Sequence, residues 1–241
     1  MNIRELLKEI KVMPPDWHGA GTMSNVVLDA IARHADLVGE INHSAETGSG
    51  KTTLLFSHLS KNHTTFAIND GDSIARVQSS PLFESRNVTY VLGPSQLTLP
   101  RHVFNAKLQI ALIDGPHGYP FPDLEYYYFY PQISTGGLLL IDDINIPSIK
   151  SMFEIVKADE MFELLEVVEY TAFFRRTNAP LVDPLGDCWT LQGFNREHYE
   201  YAMARSQGSS SSGFRRLRGL VPSQFKRMIP LKWKTAFLRK F

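Results

Sequence analysis

Residues 41–56 read INHSAETGSGKTTLLF, and the fold of the whole chain depends on what this stretch is. Counted from Ala45, it fits a loose phosphate-loop pattern: a small residue, four of any kind, then Gly50-Lys51-Thr52. Counted from Glu46, it reads Glu-x-Gly-x-Gly-x-Thr through Gly48, Gly50 and Thr52, followed by an apolar run. Both readings predict a strand, a tight glycine turn and a helix whose first backbone N–H groups face a ligand. They differ in that ligand. A phosphate loop uses its lysine to neutralise a triphosphate, which implies a nucleoside triphosphatase or kinase. A nucleoside loop uses close glycine backbone and acidic side chains, which implies a transferase with an adenosyl cofactor.

Downstream, strand-like and helix-like patterns alternate. A strand ending near Ala45, polar for a central strand because of Asn42 and His43, leads to a helix over 51–59. Strands are predicted over 64–68, 88–92, 108–113 and 138–141, with a short helix over 72–78 and a longer one containing 124–130. Such alternation predicts βαβ units and a parallel sheet. Ligands of parallel sheets sit beyond the carboxyl ends of the strands. Asn69-Asp70, Gly93-Pro94-Ser95, Asp114 and Asp142-Asp143 all fall there. A helix from Ser148, runs at 162–168 and 171–174, and a last strand over 188–194 predict an antiparallel, hairpin-like end. The expected fold class is α/β, doubly wound and mostly parallel.

Upstream, Ile3, Leu6, Leu7 and Ile10 share one helical face, and Met13-Pro14-Pro15 stops that helix. Ser24 is placed to cap a second helix. The two helices read as a flank on the core, with Trp17 and His18 packing in the loop between them.

The 241 residues, 43% hydrophobic and 21% charged, describe a globular chain able to bury one sizeable core. The single cysteine, Cys188, excludes an internal disulfide or a cysteine-only metal cluster. With no apolar leader and no membrane-length apolar run, the expectation is a cytoplasmic protein. A formal net charge of zero hides an asymmetry: residues 195–241 carry eleven Lys or Arg against two Asp or Glu, and residues 1–194 carry fourteen against twenty-three. The acidic body argues against a nucleic-acid substrate. The run Tyr126-Tyr127-Tyr128-Phe129-Tyr130 does not change this, because consecutive helical residues point in different directions and form no stacking stripe. Core packing with a subunit contact, hence a homo-oligomer, is the expectation for that run.

Three motifs in order now bear on the glycine loop: Glu46 to Thr52, Ile113-Asp114-Gly115-Pro116-His117-Gly118-Tyr119, and Gly136 to Asp143. Together they resemble the class I S-adenosylmethionine-dependent methyltransferases, closest to the Rossmann-like small-molecule O-methyltransferases with an Asp-Gly-x-His-x-Tyr motif. The resemblance covers roughly residues 40–195. It implies cofactor contacts at Glu46, Gly48, Gly50, Thr52, Ser95 and Asp114, and a ribose contact from Asn69 or Asp70, with Asp72 a further candidate. Lys51 is then a solvated first-turn residue. The chain departs from the pattern in its polar first strand, in Asn69-Asp70 where one acid is usual, and in Pro94 after Gly93.

Methyl transfer needs an aligned acceptor oxygen and removal of its proton. Metal-dependent relatives of the sugar and catechol type imply a divalent-metal set of Asp114, Asp142 and Asp143, and three carboxylates suit Mg²⁺. The other reading makes Asp142 or Asp143 a loop cap. His117, three residues past Asp114, is placed as a general base or as a holder of loop geometry. Tyr119 is expected to pack the loop or line the pocket.

The expected organisation is a helical flank (1–38), a Rossmann-like core (39–195), a Ser-rich linker (196–213) and a basic aromatic tail (214–241). The tail suits peripheral membrane or protein contact. The expected activity is O-methylation of a small hydroxylated acceptor, a sugar or glycoside. The alternatives are a phosphate-loop triphosphatase or kinase, and a catalytically silent domain delivered by the tail.

Overall fold

A computed structural model describes residues 1–14, 17, 23–68, 72–182, 189 and 192–199. Met1–Phe194 forms one compact unit. Its sheet has seven strands: β1 (Ile41–Thr47), β2 (Ser60–Ala67), β3 (Val88–Leu92), β4 (Leu108–Ile113), β5 (Ile133–Ile141), β6 (Phe162–Val168) and β7 (Thr171–Arg176). The order is β3-β2-β1-β4-β5-β7-β6. The first five run parallel, and β7 lies antiparallel to both β5 and β6. This is the doubly wound, Rossmann-like, mostly parallel sheet with an antiparallel end.

β4 and the second half of β5 read as apolar because both faces are covered. Ile110, Leu112, Leu138, Leu140 and Phe173 point to one side. There they meet α1 (Ile3–Lys11), α2 (Asn25–Val38) and α3 (Lys51–Leu59). Ala111, Ile113, Leu139, Ile141 and Phe174 point to the other, against residues of α6 (Phe121–Phe129) and α7 (Pro147–Lys157). Between β2 and β4 lie α4 (Ser73–Ser79) and α5 (Ser95–Thr98).

The amino-terminal helices are part of the core. An Asn2–Glu5 capping box starts α1, which buries Leu6, Leu7 and Ile10. Each fully buried Leu or Ile contributes about 1.5–3 kcal/mol. Ser24 accepts from Val27 N–H and caps α2, and Gly39 ends that helix with a φ of 87°. Trp17 packs against the same core, while His18 lies outside the described residues.

Three sequence expectations shift, the first being β5, which is expected over 138–141 and begins at Ile133. β2 begins at Ser60, before the apolar run, because its polar residues pair with β1. The strand expected over 188–194 is not found where it can be seen: residues 193–199 are helical, and 188, 190 and 191 lie outside the described residues. The β6–β7 hairpin already closes that end of the sheet.

Candidate active site

The strand order reverses between β1 and β4, so the crevice for a ligand opens at their carboxyl ends. Gly48 turns the chain there with a φ of 88°. A Cβ on Gly48 would come within 2.6 Å of the Asp114 carbonyl oxygen, so the loop rests directly on the end of β4. Thr47 ties the same two segments: its hydroxyl accepts from Asp114 N–H at 3.0 Å and donates to Glu125 at 2.8 Å. The Gly50 N–H is given to the Thr53 hydroxyl at 3.0 Å, which donates in turn to Glu46 Oε1 at 2.5 Å.

Glu46 is 1% exposed. Its Oε1 also takes His63 Nε2 at 3.1 Å and Thr65 Oγ1 at 3.2 Å, while Oε2 has no partner. Thr52 is buried in the first turn of α3. Lys51 corrects the expectation of a solvated residue. It is 4% exposed, and burial lowers its pKa. It is the first residue of α3, which is buried from 51 to 57. Ser95, the first residue of α5, is also buried, with its hydroxyl unpartnered. Asn69 and Asp70 lie outside the described residues. Asp72 precedes α4, is well exposed and pairs with Arg76 at 3.6 Å.

The second half of the site comes from β4 and β5. Asp114, His117 and Asp143 converge, with one ligand atom from each lying within 4.8 Å of the others. His117 Nε2 stands 3.2 Å from Asp143 Oδ2 and 4.0 Å from Asp114 Oδ1. Burial pushes Asp114 up to about 7, against the pull of the nearby His117 imidazole. The Asp142, Glu46 and Asp143 charges add to the rise. His117 is raised in turn, chiefly by Asp114, against its own partial burial. Asp142 stands apart from this group: its Oδ1 accepts the Thr171 hydroxyl. Burial raises its pKa and Thr171 opposes the rise. Tyr119 is 77% exposed and does not pack the loop; Ser148 Oγ secures it by donating to the His117 carbonyl at 2.6 Å.

A cavity of about 90 Å³ adjoins the cluster, lined by Met23, Ser24, Val27, Asp142, Asp143, Glu169, Tyr170 and Thr171. Asp143 and Glu169, with φ of 55° and 52°, are the two non-glycine residues of positive φ among the described residues, and both line it. Backbone strain of this kind gathers at functional sites. The cavity is wide enough for part of a small polar molecule.

The sequence reading missed Glu125. It is fully buried in α6 beneath Gly115, with Oε1 unpartnered, and burial pushes it up to about 7. The nearby Ser95 and Thr47 hydroxyls resist that rise. The available signal was spacing: Pro122, Glu125 and Phe129 form the buried stripe of α6. The tyrosine run resolves as expected for a helix, with Phe129 buried, Tyr127 56% exposed, and Tyr126 stacked on Tyr130.

Residues 45–144 match the model of the family described as Methyltransferase domain, from the middle of β1 to just past Asp143. The match covers less than half of the chain, and within it lie the glycine loop and the acids that follow β4 and β5. No curated protein sequence matches the chain. Among solved structures, the domain is similar to the O-methyltransferase TomG of Streptomyces achromogenes, involved in tomaymycin synthesis and bound to SAM. Identity is 12% over 72% of this chain and 90% of that one, with a TM-score of 0.56. The SAH-bound methyltransferase PaMTH1 of Podospora anserina is 15% identical over 73% and 88% of the two chains, with a TM-score of 0.53. These likenesses are likenesses of fold. They show a Rossmann-like fold, with the glycine loop at its switch point. No finding supports the triphosphatase reading.

Proposed function

We propose that the chain is an S-adenosylmethionine-dependent O-methyltransferase acting on a small hydroxylated acceptor, a sugar or glycoside. The observation that carries this reading is the meeting of Asp114, His117 and Asp143 directly beside the Gly48 turn. A cofactor seated on the glycine loop would present its methyl group to those side chains. Glu46 serves the amino-acid end of the cofactor, Ser95 its base end, and Asn69 or Asp70 its ribose. In the reaction the acceptor oxygen attacks the sulfonium methyl carbon, the methyl–sulfur bond breaks, and sulfur keeps the electron pair. The acceptor proton passes to His117, which its carboxylate neighbours make more basic than an isolated imidazole.

Asp114 and Asp143 offer the oxygen ligands Mg²⁺ prefers, and such an ion would lower the acceptor hydroxyl's pKa. The fit rests on the two carboxylates lying close with raised proton affinity at Asp114. Asp142, engaged by Thr171, is the weaker candidate of the three. Among the described residues no helix is long and apolar enough to cross a membrane. The domain boundaries, the cytoplasmic location, a homo-oligomer and the tail as a contact segment belong to this proposal on sequence grounds; residues 200–241 lie outside the described residues.

The test is calorimetric titration with S-adenosylhomocysteine and, separately, ATP, each with and without Mg²⁺. The expected result is binding of the homocysteine ligand, weakened by Glu46→Ala. Binding of ATP with Mg²⁺ alone would overturn the reading.

A further inference from the structure

Beneath the glycine loop a serine, a histidine and a glutamate stand in one buried line. Ser44 Oγ lies 2.7 Å from His63 Nδ1, and His63 Nε2 lies 3.1 Å from Glu46 Oε1. All three residues are 1% exposed. Strand register produces the line. Parallel pairing sets Ser44 opposite His63 and Glu46 opposite Thr65, and the two-residue repeat puts all four side chains on one face of the sheet. Phe56 of α3 stacks on the His63 ring at 4.8 Å.

The order of groups is that of a hydrolase triad, yet it cannot work as one. The serine is shut inside the β1–β2 pair and the ring is covered by Phe56, so no acyl group can reach it. Its effect falls on the carboxylate. His63 must carry its proton on Nε2, since a lone pair facing Glu46 would be repelled, and the Ser44 hydroxyl then serves Nδ1. Oε1 thus receives three donors, from Thr53, His63 and Thr65, whereas Oε2 receives none. A buried carboxyl group with one saturated oxygen and one empty oxygen is built to complete its shell with a ligand.

We infer that His63, set by Ser44, is a positioning residue that holds Glu46 with Oε2 turned to the cofactor's ammonium group, directly or through one water. This rests on the cofactor reading above. It makes a prediction that a purely structural histidine does not. Loss of His63 weakens ligands that carry the amino-acid end and spares those that lack it.

The experiment compares S-adenosylhomocysteine with methylthioadenosine, which has the nucleoside but no amino acid, by calorimetry on the full chain. His63→Leu is expected to weaken the first by about ten- to a hundredfold, the range of a hydrogen bond to a charged group, and to leave the second within about twofold. His63→Gln, which restores a donor near Nε2, is expected to recover most of the loss. In a Glu46→Gln background His63→Leu should add little. Equal weakening of both ligands, or of neither, overturns the inference while leaving the cofactor reading intact. A wild-type chain that binds neither ligand overturns the cofactor reading itself. Should His63→Leu fail to fold, Ser44→Ala decides: a selective loss of a few-fold for S-adenosylhomocysteine supports the inference, and no loss overturns it.

Discussion

Two acidic regions meet at the Gly48 turn, and they are built in opposite ways. On the β1–β2 side, Glu46 is almost wholly buried and one oxygen is saturated by three donors from neighbouring secondary structure. On the β4–β5 side, Asp114 and Asp143 are about one-third exposed, stand on loops, and face a single imidazole. The first arrangement fixes one charge in one orientation. The second leaves carboxylates crowded and short of donors, so a proton or a cation would relieve them. A rigid charge suits a cofactor that always arrives in one pose. A relaxed, under-satisfied cluster suits groups whose charge changes during a reaction.

The sharpest way to break this comparison is to separate the two regions. Gly48→Ala would place a methyl 2.6 Å from the Asp114 carbonyl oxygen, with backbone at a φ of 88° that L residues rarely adopt. Neither the strand end nor the turn can yield without moving the other. The expected outcome is loss of S-adenosylhomocysteine binding by more than about a hundredfold, with about 1–3 kcal/mol of stability lost, read by calorimetry and thermal melting. Retained binding would show that the turn is not the seat of the cofactor. Next in size is Asp114→Asn, which keeps shape and replaces a carboxyl group of the less buried cluster with an amide. Turnover should fall by about 10²–10⁴, while homocysteine-product affinity changes only a few-fold. An equal fall in both would put Asp114 with Glu46 on the rigid side.

Glu125 belongs to neither region and tests the contribution of burial alone. Its carboxyl, ordinarily at 4.5, is pushed up to about 7 by desolvation. The folded state therefore holds a proton that the unfolded chain has released between those values. Stability from this group is full below pH 4.5 and is lost as pH rises to about 7. Glu125→Gln keeps an acceptor for the Thr47 hydroxyl and removes that dependence. The variant should be more stable than wild type by roughly 3 kcal/mol at pH 8 and no more stable at pH 4. Chemical denaturation at the two pH values measures it, and an equal change at both would mean that packing, not charge, sets the difference.

How much of this could be read beforehand varied with the reach of the interactions. β4 and the buried second half of β5 were plain as apolar runs, because strands covered on both faces need no polar residue. The acids at their ends followed from topology. β1 looked wrong for a central strand because its justification lies on another one: Ser44 and Glu46 are tolerated only because β2 brings His63 and Thr65 alongside. That pairing also explains why the start of β2 was placed four residues late. Which of three aspartates would turn away was equally hidden, since Asp142 is drawn aside by Thr171 from the far hairpin. Glu125 was overlooked among tyrosines for the same reason, its partner Thr47 being remote in sequence.

Lys51 is the residue on which the two readings of the glycine loop divided, and its burial gives the last and smallest test. It was expected in solvent; instead only 4% of it is exposed, and burial disfavours its charge. A lysine gripping a triphosphate would need its ammonium group for affinity. Burial encloses the four-carbon stem as well as the ammonium group, because Lys51 opens a helix that is buried from 51 to 57. Lys51→Met keeps that stem's length and deletes the charge. The folded protein should change by no more than about 1 kcal/mol, as for other volume-conserving exchanges. Affinity for S-adenosylhomocysteine should stay within about threefold, whereas Lys51→Ala should cost more by leaving a void. The ordering matters more than either value. If methionine proves as harmful as alanine, the charge itself is used, and the glycine loop binds an anion. If methionine is silent and alanine is not, Lys51 serves the packing of α3 against the sheet, and ligand recognition on that side rests with Glu46.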